Sequence, residues 1–394
     1  MHGEMMARVL NVTVDYTKDS GGSALSARQW SQALDAQLVS LTRPSVLAAS
    51  GSYSDDCIHL PVSDGFFGKA YDYATRSGAE QLRRLIAGSD LVICHKLFRY
   101  HNQVVLQECL ANSIPYVVVP HGCLDPYIFT YRKVQKRVWL ALVGNRFLRN
   151  ARAVIYATQA EKEKSRRRAP WARGPVISWY VCDPQVLDRG VCKELVCGRY
   201  GLTRGAKIFL MLGRLHSTKR IFEAIRGFKE ARLPNSTLIV AGADDEYTVG
   251  QVSSYADSVG AENVFVIGPV YGRSKEELLA ASDFSLNTSF RECYCYAIVE
   301  AMSYGAPCIL SPGNDLASTL AEAGCAICCS DYDEGSLVEA LRKFATMGDV
   351  QTATMRKTAQ EWARNNANFA TFKDKLANLV SDILLPAACP ARTA

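Results

Sequence analysis

The chain has 394 residues, 48% hydrophobic and 21% charged, a soluble composition with apolar material for two domain cores. Its formal charge of +6 suits a phosphate-bearing partner but falls short of the basic density of a nucleic-acid binder. No apolar run is long enough to span a bilayer, and the opening "MHGEMMARVLNVTVDY" has no signal design, so a cytoplasmic location is expected.

In chain order, "RVLNVTV", "DLVICHK", "PYVVVPHG" and "AVIYAT" read as buried parallel strands of the first half. "DSGGSALSARQW" follows the first of them and sets Gly21 and Gly22 before a helix, where the backbone can approach a phosphate closely. Between Ile177 and Arg204 the strand–helix alternation breaks, which places a domain boundary there. "KIFLMLGRL", "STLIVAGA", "NVFVIGPV", "FSLNTS" and "PCILSP" are the strands of the second half. "SKEELLAASD" reads as a helix opened by a Ser274 cap with Glu277 three residues on. Two helices close the chain, the last with no sheet of its own left to cover. The pattern implies two doubly wound α/β domains, with ligands at the carboxyl ends of the strands. The expected division is 1–182, 183–366 and a returning helix and tail, 367–394.

Fourteen cysteines scattered through strands and helices read as buried free thiols. "CAICCS" holds a Cys-x-x-Cys, but no second pair or His cluster completes a metal set, so no metal is expected.

Five polar positions could carry chemistry. Arg214 and Lys219 follow the strand "KIFLMLG", where two cations could clamp a diphosphate; ordinary surface charges of a βα loop would look the same. "SFRECYCYAIVEAMSYGAPCIL" sets Glu292 just ahead of a helix beginning near Tyr294, and Glu300 between one and two turns inside it. The helix start offers backbone N–H groups to an anion, and the carboxylates suit sugar and ribose hydroxyls. The bland alternative is a core helix with incidental acids. "VVVPHGCLDP" puts His121 at the end of a strand, looking into a cleft or simply bonded to a loop.

Taken together and in order, "PHGCLDP", "GRLHSTK", and the E-x7-E followed by "AMSYGAPCIL" resemble the retaining GT-B glycosyltransferases of family 4. "PHGCLDPY" and "ATQAEKEK" are similar to bacterial members that build surface polysaccharides or glycolipids. The resemblance covers nearly all of the chain and implies a GT-B fold, two Rossmann-like domains facing a cleft with the last helix crossing back to the first. It implies a nucleotide-diphosphate sugar as co-substrate, no cofactor or metal, and a saccharide or lipid-linked hydroxyl acceptor. Arg214 and Lys219 would hold the diphosphate, Glu292 the transferred sugar and Glu300 the ribose. The backbone at Cys295, Tyr296 and Ala297 would meet sugar and phosphate, and Gly213 and Val270 complete the donor set. His121 would touch the far side of the sugar, and Gly22 would pass near the phosphates. Departures from the family pattern are Cys293-Tyr294-Cys295 after the first Glu, Arg220 where Gly often follows the Lys, and "WYVCDPQVLD" between the domains.

Two other readings stay open: a non-hydrolysing nucleotide-sugar epimerase, and an inactive sugar-nucleotide-binding protein. A nicotinamide oxidoreductase is excluded for want of the G-x-G-x-x-G fingerprint. From Tyr131 to Pro175 there are thirteen Lys and Arg against two Glu. Such an excess can dock the anionic inner face of a membrane, or simply be a solvated helix face.

Overall fold

A computed structural model describes residues 7–17, 21–52, 55–181 and 183–385. The chain divides into two compact units. One is built from the residues up to Trp179 together with the chain from Phe369 onward, the other from Tyr180–Asn368. The first junction falls three residues ahead of the expected 182/183 and the second two residues after 366/367.

The first unit holds six strands: β1 (Val9–Val14), β2 (Gln37–Thr42), β3 (Cys57–Pro61), β4 (Leu91–His95), β5 (Tyr116–Val119) and β6 (Ala153–Val154). They pair in parallel in the order β3-β2-β1-β4-β5-β6. The second unit holds β7 (Lys207–Leu212), β8 (Ser236–Ala241), β9 (Val264–Gly268), β10 (Phe284–Asn287), β11 (Cys308–Leu310) and β12 (Ala326–Cys328). Its order, β12-β11-β10-β7-β8-β9, is the same order counted within its own unit. Each sheet reverses direction once, between β1 and β4 and between β7 and β10. At such a switch point the two neighbouring connections leave for opposite faces and open a crevice beyond the strand ends. Both units are doubly wound α/β sheets, as a GT-B fold requires of each half.

Strands β2 and β3 escape a search for apolar runs because they carry polar residues inside the sheet. Ser40 and Thr42 are buried and bond to each other at 2.8 Å, and His59 reaches Thr42 at 3.2 Å. Mutual pairing removes the cost of burying these hydroxyls. Strand β12 lies under "CAICCS", whose Cys325 and Cys328 thiols donate to carbonyls of Leu320 and Ala317. The segment expected to break the alternation contains a helix, Arg189–Tyr200, capped by Asp188 and ended by left-handed Gly201. It packs on the helix Gly272–Ala281, whose cap position is Tyr271 rather than Ser274, with no side-chain cap bond.

In the first unit Asn11 on β1 donates to Ala27 O and Ser31 Oγ and so fixes the helix Gly22–Leu34 against the sheet. Trp30 of that helix meets Trp179 at 5.8 Å and Phe372 at 6.0 Å, all three edge to face. Phe372 belongs to the last helix, Phe369–Leu384, which packs on Gly22–Leu34. Burying rings of this size contributes about 1.5–3 kcal/mol each. Among the described residues no helix is long and apolar enough to cross a membrane.

Candidate active site

Three segments of the second unit converge at the β7/β10 switch point. After β7 the chain turns at Gly213 and Arg214 into a short 3-10 turn, Ser217–Lys219. Gly242, after β8, lies so close that a Cβ there would stand 1.8 Å from the Gly213 carbonyl oxygen. After β10 the loop 288–295 leads to the helix Tyr296–Ser303. The third segment follows β11, where Gly313 O accepts the Glu292 N–H at 2.9 Å and Asp315 N–H donates to Glu292 O at 2.8 Å.

These segments are stitched together by the backbone. Phe290 N–H donates to Thr218 O at 2.9 Å and Thr288 Oγ1 to Lys219 O at 2.7 Å. The result is a direct ion pair between Lys219 Nζ and Glu292 Oε1, with Ser289 Oγ 3.1 Å from the same carboxylate oxygen. Lys219 and Glu292 are only 20% and 15% exposed. Burial pulls the Lys219 ammonium towards neutrality, but the Glu292 carboxylate beside it prevails and its pKa is raised above the ordinary lysine value. Lys219 therefore stays charged in a low-dielectric place, where a charged donor is worth far more than at the surface.

Gly213, Arg214, Lys219 and Asn287 line one small cavity. Arg214 is 55% exposed and pairs with Asp245. The helix starts at Tyr296, two residues later than expected, with Tyr294 buried ahead of it. No side chain caps it. Cys295 holds the cap position, its sulfur 3.2 Å from Asn287 Nδ2. Burial, with Glu292 adding to it, pushes the Cys295 thiol up to about 12, so no thiolate offsets the positive helix end. Glu300, on the fifth residue of the helix, pairs with Lys275 at 2.8 Å. Val270 is half buried and packs against the apolar cluster around Leu279 and Ala301. Lys219, Glu292 and Cys295 are thus brought together, with Gly213 and Arg214 beside them.

Arg220 explains why glycine is common after the lysine. Its φ of 56° is left-handed, a conformation costing a side-chain-bearing residue about 1–2 kcal/mol. The side chain offsets this cost: its guanidinium lies 4.7 Å from the Phe290 ring centre and donates to Tyr332 O. Arg220→Gly is expected to lower stability by about 1–2 kcal/mol, the lost stacking and charged hydrogen bond outweighing the released strain. Denaturant unfolding checks this; a gain in stability would show that strain dominates.

His121 and Gly22 belong to the first unit. Gly22 opens the helix Gly22–Leu34 after β1, with Gly21 as its cap residue and no side-chain cap bond. His121 turns left-handed (φ 52°) after β5, its Nε2 2.8 Å from His95 Nδ1 and the rings stacked at 5.1 Å. Burial, then Lys96, pushes His121 down to about 3, so the ring is neutral. The loop is locked by Glu161, a buried acid that accepts the N–H groups of Gly122 at 2.6 Å and Ala157 at 2.7 Å. His95, Glu161, Lys275, Ser289 and Gly313 were not singled out by the sequence. Only Glu161 had a signal, in "ATQAEKEK", where Thr158 caps and Glu161 sits three residues on.

Two family profiles match this chain one after the other: "Glycosyltransferase Family 4" over residues 20–180 and "Glycosyl transferases group 1" over residues 198–367. The chain belongs to the group 1 glycosyltransferases. Among curated relatives, this group 1 member is 25% identical over 188 residues to the lipopolysaccharide glucosyltransferase WaaG of Escherichia coli K12. That match spans 46% of each chain, about half the length of the relative. Among solved structures it resembles HepE of Anabaena, seen with UDP and glucose, at a TM-score of 0.73 and 17% identity, over 95% of this chain and all of that one. Sucrose-phosphate synthase of Thermosynechococcus elongatus gives 0.71 and 18%, over 95% and 99%. At such identities these two likenesses speak for the GT-B fold.

Proposed function

We propose that the chain transfers a sugar, with retention and without a metal, from a nucleotide-diphosphate sugar to a hydroxyl acceptor. The observation that carries this reading is the buried Lys219–Glu292 pair at the β7/β10 switch point, beside a helix start that no side chain caps. Lys219, Arg214 and the helix end supply positive charge where a diphosphate leaving group gains negative charge. Glu292 stands against the transferred sugar and Glu300 against the ribose. The acceptor oxygen bonds to the anomeric carbon on the face from which the phosphate departs, the carbon–oxygen bond to phosphate breaks, and the departing phosphate takes the acceptor proton. No side chain serves as nucleophile. His121, neutral and locked by His95, offers the sugar a hydrogen bond without adding charge, and Gly22 lets the backbone approach the phosphates. Gly213 and the backbone at Cys295, Tyr296 and Ala297 complete the donor contacts, with Val270 as the apolar wall.

The relationship to WaaG supports a surface-polysaccharide or lipid-linked acceptor, and HepE, seen with UDP-glucose, supports a nucleotide-sugar donor. The thirteen basic residues of 131–175 suit a peripheral place at the anionic inner face of a membrane.

The two glutamates provide the test. Glu300→Gln removes contact with a part of the donor that does not change during reaction, so it should weaken nucleotide binding about tenfold and spare kcat. Glu292→Gln should lower kcat by roughly a hundredfold while nucleotide affinity stays near normal. Rates with saturating donor and calorimetric nucleotide affinity, over UDP-, GDP- and ADP-sugars, decide it. Equal small effects of both variants on both quantities would return the acids to a structural role.

A further inference from the structure

The first unit carries a pocket of about 260 Å³ that the donor chemistry does not use. It lies beyond β4 and β5, beside the β1/β4 switch point, where a doubly wound sheet receives ligands. Four cations line it, Lys96, Arg99, Arg132 and Lys136, and no acid does among the described residues. Its walls are aromatic: Phe98 and Trp139 meet edge to face at 4.9 Å, and Tyr131, 67% exposed, stands at the mouth.

The cations are not all spoken for. Arg99 pairs with buried Asp72 at 3.0 Å, and Lys136 donates to the carbonyls of Ile128 and Tyr131. Burial pushes the Asp72 carboxyl up to about 6, against the pull of Arg99, so the acid only partly offsets that charge. Lys96 and Arg132 make no ion pair among the described residues, although Lys96 is half buried. Burial lowers the Lys96 pKa, and the nearby Asp15 opposes that shift.

The backbone is strained where these groups are presented. Lys96 and Phe98 have φ of 65° and Arg132 of 48°, all left-handed and none glycine. Each such residue carries backbone strain and persists where the surroundings fix it, commonly at a ligand site. A volume just under the ~300–1,000 Å³ of small-molecule sites fits one charged group and one ring or chain start. A neighbouring recess shares Tyr71, Arg132 and Gln135 and adds exposed Phe66 and Val134, so an attached organic group has an apolar path outward.

We propose that this pocket binds the phosphate group of the acceptor between Lys96, Arg99 and Arg132, with the attached organic group against Phe98, Tyr131 and Trp139. That the phosphate belongs to an acceptor rests on the glycosyltransferase reading; that the pocket binds phosphate does not. A phosphate of this kind can come from a soluble sugar phosphate or from a lipid, and the aromatic walls suit either.

The experiment is calorimetry on the full chain with glucose 6-phosphate and with short-chain dihexanoyl phosphatidic acid, glucose and dihexanoylglycerol being the uncharged controls. Binding of at least one phosphate, little binding of its control, and about a tenfold or greater loss in Arg132→Gln and Lys96→Met are expected, in line with a charged hydrogen bond. The phosphate that binds identifies the source. Far-UV circular dichroism and thermal unfolding of each variant show that the chain is folded; should Lys96→Met fail to fold, exposed Arg132→Gln carries the test. No binding of either phosphate, or equal binding by wild type and Arg132→Gln, would overturn the proposal. Binding of UDP, GDP or ADP without phosphate binding sinks the pocket and spares the donor reading, and phosphate binding with none of the three nucleotides does the opposite.

Discussion

Lys219→Met is expected to lower turnover by roughly 10²–10³, the effect of removing one preorganised charge, and to destabilise the second unit at the same time. The second effect follows from burial. With the ammonium gone, the Glu292 carboxylate remains mostly enclosed with Ser289 Oγ as its side-chain partner. Breaking one side of such a pair costs about 3–5 kcal/mol, because a charge is left without its counterpart. Lys219→Met/Glu292→Gln should therefore recover much of the stability while remaining inactive. Arg214→Ala provides the contrast. Its guanidinium is more than half exposed and paired with Asp245, so stability should change by no more than about 1 kcal/mol while turnover still falls. Urea unfolding and initial rates on the three variants check this. Near-normal turnover in Lys219→Met, or a double variant less stable than the single, would sink the assignment. The pair also has a pH signature. Since Lys219 is raised in the folded chain, its contribution is fully present below the ~10.4 of an unfolded lysine and is lost as pH rises through the folded value.

Gly313→Ala is expected to destabilise the site strongly, by about 2–4 kcal/mol with a matching loss of kcat. A Cβ at Gly313 would lie 2.1 Å from the Phe290 carbonyl oxygen, 2.4 Å from its carbon and 2.7 Å from Ser289 O. All three are backbone atoms and cannot swing aside. They belong to the loop whose Glu292 N–H bonds to Gly313 O, so the relief of the clash moves the carboxylate. Gly198→Ala, in the helix Arg189–Tyr200 with nothing within 4 Å, is the control and should stabilise by about 0.5–1 kcal/mol. Thermal unfolding and kcat on both variants decide it; unchanged kcat in Gly313→Ala would show that the loop position is not critical.

The strands legible in the sequence were those whose burial shows as unbroken apolar runs, such as "KIFLML" and "STLIVA". Strands β2 and β3 were not, because Ser40, Thr42 and His59 satisfy one another inside the fold and so look like loop residues in one dimension. The charged residues of the site stood out by type and spacing, whereas their partners did not. Lys275 reaches Glu300 from another helix, Gly313 matters through a contact 23 residues back, and His95 reads as the end of a strand until it meets His121. Such roles exist only once distant segments are adjacent. Arg220 is the intermediate case: its departure from glycine was visible, but not the ring face and carbonyl that compensate it.

The return of the helix Phe369–Leu384 to the first unit has a consequence for the order in which the molecule is made. Trp30 and Trp179 leave the ribosome long before Phe372, the ring that completes their cluster. At ~5–20 residues per second the gap is roughly ten to forty seconds. During that interval the second unit, Tyr180–Asn368, emerges in full and can close on its own sequence. The half begun first is therefore the half finished last, and its indole faces wait uncovered for a partner at the far end of the same polypeptide.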